Sequence, residues 1–170
     1  YLHYYKKALD YAGFPDSIYT IGSAFAVRAD AYVQQGGMNR RQAGEDFYFL
    51  NKLTRLGKVE EITETTVFPS GRVSDRVPFG TGAAMKKWMN DDGDLSKTYN
   101  FAAFQAIKSL FDCVDSFFRM NPEDLKNLSL PESLLDYFRL IDFTAKVAEI
   151  NRNSSSLNSF TKRIFQFFDA

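Results

Sequence analysis

Three stretches of the C-terminal half carry large apolar residues at helical spacing, and the chain cannot leave all three in water. Phe101, Phe104, Ile107, Phe111, Val114 and Phe118 form one stripe. Leu134, Phe138, Ile141, Ala145 and Ala148 form a second, and Leu157, Phe160, Ile164 and Phe167 a third. Steps of three and four residues put side chains on one side of an α-helix. The stripes must therefore bury one another or pack on the rest of the chain. Pro122 and Pro131, each with acids just after it, stand where helices begin, since Pro is tolerated and acids are favoured in a first turn. Asn153-Ser154-Ser155-Ser156 fits a connection between helices. The amphipathic stretch 160–168 also has the form of a helix lying on a membrane. Core burial explains the same stripe and is the expectation adopted.

The N-terminal half is built differently. Residues 1–90 hold nine of the ten glycines and carry 12 Lys and Arg against 9 Asp and Glu, net +3. Residues 91–170 carry 9 against 12, net −3. A boundary near Asn90-Asp91-Asp92-Gly93-Asp94 fits both contrasts, giving two parts, 1–90 and 91–170. A short helix is expected over 2–12, with a turn at Gly13-Phe14-Pro15-Asp16. Residues 17–28 mix β-branched and aromatic residues and predict a strand, or two strands broken at Gly22. Asp30 is placed to cap a short helix ending at Gly36-Gly37. Residues 45–56 form a helix with Phe49, Leu50, Leu53 and Leu56 on one stripe, stopped by Gly57. Residues 58–68 predict a second strand through Val59, Ile62, Val67 and Phe68. Pro69 to Gly82 is a loop. Trp88, beside Met85 and Met89 in a helical segment, fits core packing better than an exposed stacking surface.

Composition narrows the function. Lys and Arg number 21 and Asp and Glu 21, so the chain lacks the net basic field of a nucleic-acid coat. One cysteine, Cys113, forms no internal disulfide and is expected as a small buried apolar residue. The single histidine, His3, makes no His cluster. No apolar run approaches the roughly 20 residues of a membrane span, and with no secretory signal pattern the expected location is the cytoplasm. The opening Tyr1-Leu2-His3-Tyr4-Tyr5 reads as part of a longer polypeptide.

The stretch with chemical content is Gly36-Gly37-Met38-Asn39-Arg40-Arg41-Gln42-Ala43-Gly44-Glu45-Asp46-Phe47-Tyr48-Phe49-Leu50. Two acids open an amphipathic helix, where the helix dipole favours carboxylates. A charged Asp beside a reacting carbon can take the proton of a hydroxyl nucleophile. The same acids also fit a purely structural role, because acids in a first turn stabilise helices. Arg72 and Arg76 lie in a glycine-bearing loop; their guanidinium groups match phosphate geometry and can stabilise charge on a departing diphosphate. Asp75 between them can hold one in place, and a solvated loop with a local ion pair is the plain alternative. Gly22 and Ser23 fit either a strand bulge or the wall of a pocket that a larger side chain would obstruct.

The order of three blocks carries a resemblance. Thr20-Ile21-Gly22-Ser23-Ala24-Phe25-Ala26-Val27-Arg28, then the Gly-Gly to Gly-Glu-Asp stretch, then Gly71-Arg72-Val73-Ser74-Asp75-Arg76-Val77-Pro78-Phe79-Gly80-Thr81-Gly82 resemble the acceptor side of bacterial family 2 glycosyltransferases, over roughly residues 17–85. That family has the GT-A fold and includes inverting enzymes with nucleotide-sugar donors. The resemblance implies Asp46 as general base and Glu45 as a group that orients it or binds the acceptor. It supports a phosphate role for Arg72 and Arg76, and it makes Gly22 and Ser23 part of the acceptor-sugar pocket. The implied partners are a nucleotide-sugar donor and a glycan or small-molecule acceptor.

The implied fold is α+β: a truncated GT-A-like portion with few strands, then a mostly α-helical C-terminal part, predominantly helical overall. The family's donor half, with its Asp-x-Asp cation site, has no counterpart here. Asp92-Gly93-Asp94 follows a helical pattern and comes after the Glu-Asp block, so it is expected to be a turn. The Mg or Mn of the full enzyme is thus expected to be held elsewhere, with none bound by these residues and little activity from them alone. A truncated sheet would leave an open edge, for which a homodimer or the C-terminal helices are the expected cover. The competing expectation is a non-catalytic helical module that binds protein or sugar.

Overall fold

The computed structural model describes residues 2–20, 22, 24–40, 44–57, 59–68, 81–90 and 97–168. Among these residues there are nine α-helices, one 3-10 turn and no strand. The chain divides into two compact units, Ile18–Lys97 and Leu2–Ser17 with Thr98–Ala170.

The larger unit contains α1 (Leu2–Ala12), α5 (Phe101–Phe111), α6 (Pro122–Lys126), α7 (Glu132–Leu140), α8 (Phe143–Arg152), α9 (Leu157–Phe168) and the 3-10 turn Val114–Phe117. Ala8 and Ala12, one helical turn apart and buried, let α1 lie close along α5. Tyr4 and Tyr5 both set their rings edge-on to Phe104. The Asn100 side chain accepts the Ala102 N–H and caps α5.

The core gathers Leu110, Val114, Phe117, Leu125, Phe138, Phe143, Val147, Ile150, Phe160 and Ile164. Each fully buried large side chain contributes about 1.5–3 kcal/mol relative to exposure. Phe138 and Phe143 stack at 3.9 Å with planes 16° apart. Phe165, Phe167 and Phe168 pack against the same core, so the apolar side of α9 faces protein. Arg119 adopts a left-handed φ of 60°. Asn151 secures that turn: its Oδ1 accepts the Arg119 N–H at 2.7 Å, and its Nδ2 donates to the Phe117 carbonyl at 3.0 Å.

The second stripe proves to be two. A single helix through residues 134–148 puts Ala145 and Ala148 inward, but the chain breaks at Asp142, which has φ 47° and caps α8 through the Ala145 N–H. The break resets the helical phase, and Phe143, Val147 and Ile150 are buried instead.

The smaller unit contains α2 (Ala29–Gln34), α3 (Glu45–Thr54) and α4 (Thr81–Met89). Among the described residues its buried side chains are Phe49 and Leu50. Phe25 and Tyr32 close on the Phe49 ring at 6.2 and 5.3 Å. Gly36 and Gly37 take φ of 70° and 74° after α2, a conformation that glycine adopts without a side-chain clash. Asp30 does not cap α2. It sits inside the first turn, paired with Arg28 at 3.0 Å.

Three expectations are corrected. The described parts of 17–28 and 58–68 are irregular, so the α+β class with a truncated GT-A sheet gives way to a helical one. β-Propensity acts through pairing, and a strand needs a ladder partner for its backbone groups. No strand among the described residues supplies one. The described part of the second segment is also interrupted by Glu60, Glu61 and Glu64 and is exposed throughout. The sheet edge that a homodimer was to cover is consequently not found among the described residues. Trp88, expected in a core, is 67% exposed on α4. No described helix is long and apolar enough to cross a membrane.

Candidate functional site

The Glu-Asp pair opens α3 as expected. Gly44 precedes it at the N-cap with φ 74° and offers no side chain. Glu45 and Asp46 then occupy the first turn, where their charge suits the helix dipole. Asp46 stands three, four and seven residues before Phe49, Leu50 and Leu53, at the N-terminal end of the face that α3 buries.

That position brings the carboxylate against a distant stretch of chain. Asp46 Oδ2 accepts the backbone N–H of Gly22 at 2.9 Å. Its Oδ1 accepts the N–H of Phe47 at 2.8 Å. One turn further along α3, Phe49 meets Phe25. Gly22 and Phe25 on one segment therefore match Asp46 and Phe49 on the other, each pair three residues apart. Gly22 has no room for a side chain, since an added Cβ would lie 2.7 Å from Asp46 Cβ and 2.8 Å from Cγ.

A carboxylate offers about four lone-pair positions, two on each oxygen. The two backbone donors fix the plane of the group and use one position on each oxygen. The other positions are available to a hydroxyl proton. Among the described residues no group of three His, Cys, Asp or Glu is gathered for a metal ion. The preceding loop is tied to the same helix by Lys52 Nζ, which donates to Asn39 Oδ1 at 3.1 Å.

Of the residues singled out from sequence, Gly22 and Asp46 are brought together and Glu45 adjoins them. Ser23, Arg72, Arg76 and Asp92–Asp94 lie outside the described residues. Two neighbours were missed. Phe47 and Tyr48 follow Asp46 directly and are 45% and 44% exposed. The apolar stripe of α3, assigned to residues 49, 50, 53 and 56, already left both of them off the buried face.

A scan against protein-family models found no match, and neither the curated proteins nor the solved structures compared with the chain gave one.

Proposed function

We propose that this chain supplies the acceptor side and the general base of an inverting glycosyl transfer from a nucleotide sugar, as in the bacterial family 2 enzymes that it resembles. The supporting observation is the contact between Gly22 and Asp46, which joins two groups assigned to one acceptor site from blocks 24 residues apart. In this reading Asp46 takes the proton of the acceptor hydroxyl. The acceptor oxygen forms a bond to the anomeric carbon on the face opposite the leaving group. The glycosyl–phosphate bond breaks, its electron pair departs with the nucleoside diphosphate, and the configuration inverts.

Backbone donors from Gly22 and Phe47 orient the base, which leaves Glu45 for the acceptor. Gly22 and Ser23 shape the acceptor pocket, and Arg72 and Arg76 take the diphosphate charge. In this reading the Mg or Mn ion and the nucleotide are held by a donor side that none of the residues named here supplies, and little activity is expected of these residues alone. A nucleotide-sugar substrate fits a cytoplasmic setting.

The test is turnover of a nucleotide-sugar panel by the natural polypeptide carrying this sequence, with and without Asp46→Asn. Loss of about 10²–10⁴-fold in turnover with unchanged nucleotide binding is expected. Equal turnover removes the base role. It would favour the second reading, a non-catalytic helical module binding protein or sugar. That reading draws on one observation: the larger unit is helical, with a core that does not include Asp46.

A further inference from the structure

The larger unit is discontinuous in sequence. Its first helix, α1, belongs with α5–α9, yet residues 18–97 of the smaller unit stand between them. The chain leaves the larger unit at Ser17 and returns to it at Thr98. Both crossings are tied to α1. The Ser17 hydroxyl donates to the Lys6 carbonyl at 3.1 Å, and the Tyr4 hydroxyl donates to the Tyr99 carbonyl at 2.8 Å. Tyr4 and Lys6 are two residues apart, about 3 Å along the helix axis. Exit and return are thus fixed within a single turn of one helix. Phe14 strengthens the exit, its ring meeting Phe111 and Phe165 at 5.9 and 6.1 Å. Tyr5 strengthens the return, with its ring 5.7 Å from that of Tyr99. Ends held this close allow one folded unit to be inserted into another.

Helix α1 is also an element that can let go. It supplies none of the ten core side chains, and its buried residues are two alanines, Ala8 and Ala12. Elements with little buried apolar area lie at the low end of the local stability range.

We propose that α1 is a strap, and that its closure on α5 and the folding of the smaller unit stabilise each other. The device is loop closure. With the smaller unit folded, α1 reaches α5 through flexible connections of about eight residues in all; with it unfolded, the loop to be closed is about ninety residues. Closure entropy grows as three halves of the logarithm of length, so the closing equilibrium differs by about thirtyfold between the two states. Coupling of this kind is reciprocal, and releasing α1 weakens the smaller unit by the same factor. Only the two connections are needed, and nothing in the coupling depends on the chemistry proposed for Asp46. The helical unit becomes a frame that holds both ends of the unit carrying that residue.

Amide hydrogen exchange on the intact 170-residue chain tests this with two variants. Phe49→Ala empties a buried site of the smaller unit and should speed exchange across α1 about ten- to fortyfold, with α8 within about threefold of the parent. Ala12→Glu puts a charge at a position with no exposure and releases α1. It should speed exchange across α3 by a similar factor, again sparing α8. An unchanged α1 in Phe49→Ala, or an unchanged α3 in Ala12→Glu, would overturn the coupling. Acceleration of α8 by the same factor as α1 in either variant would overturn the strap, because α1 would then open only with the whole of the larger unit.

Discussion

Replacing Gly22 by Ala tests whether Asp46 and the Gly22 turn are held as one unit. Gly22 is not among the glycines with left-handed φ, so alanine meets no backbone penalty there. The obstacle is contact. The new methyl carbon would lie 2.7 and 2.8 Å from Asp46 Cβ and Cγ, where carbon atoms normally keep about 3.5–4.0 Å. The turn must withdraw by most of an ångström, and the 2.9 Å hydrogen bond to Oδ2 breaks as it does. A hydrogen bond to a charged group contributes about 1.5–3 kcal/mol when well sheltered; at this exposed site about 1 kcal/mol is the better figure. Overpacking adds about 1 kcal/mol or more, depending on how freely the turn moves. The expected loss is about 1–3 kcal/mol, confined to the smaller unit. Amide hydrogen exchange of α3 reads it locally.

A double-mutant cycle makes the cause explicit. In an Asp46→Gly background the clashing atoms and the acceptor oxygen are all gone. Gly22→Ala should then cost less than about 0.5 kcal/mol, and the helix penalty of glycine at position 46 cancels within the cycle. Equal costs in the two backgrounds would refute the coupling and with it the account of why position 22 is glycine.

Two further outcomes concern the larger unit. Phe160→Ala empties a fully buried site in the ten-residue core and should cost about 3–5 kcal/mol. At about 4–8 °C per kcal/mol for a unit of this size, the thermal midpoint followed by circular dichroism should fall by more than about 12 °C; a drop of a few degrees would show that α9 does not close the core. Burial, aided by the nearby Asp112 charge, pushes the Cys113 thiol up against the opposing pull of a backbone hydrogen bond; burial and the neighbouring Tyr99 push Tyr5 up as well. Both groups hold their proton more tightly folded than unfolded. Their stabilising effect is therefore complete below the unfolded-state pKa values and is lost as pH rises through the folded ones, so stability should decline on the alkaline side. At pH 8, Ellman's reagent should label native Cys113 more slowly than the urea-unfolded chain, and equal rates would contradict the burial.

What could be read from the sequence follows the range of the forces involved. Helix period is local, so Leu2–Ala12 and Glu45–Thr54 match or nearly match their expected spans, and Pro122 and Pro131 lie at the starts of their helices. The phase error at Ala145 and Ala148 also has a local cause, one residue with left-handed φ at Asp142. Strands are not local. Residues 17–28 have strand composition, but composition cannot provide the facing backbone, and the described residues contain none. Trp88 failed for a related reason: a stripe shows which side of a helix is apolar, not whether anything lies against it.

The site lies between these cases. Asp46 was legible as a helix-opening acid, while its bond to Gly22 spans 24 residues and follows from no spacing rule. Glycine at position 22 is the one trace that the contact leaves in the sequence, because only a residue without a side chain lets the carboxylate come so close. The structural role found for Asp46 does not compete with the chemical one proposed for it. Anchoring the turn takes one lone pair from each oxygen, and it holds the carboxylate plane in place. A base held this way gives up little motional freedom in the reaction. The group that fastens the Gly22 turn to α3 is thus held in a fixed plane by that same fastening, which is the orientation that the proposed base requires.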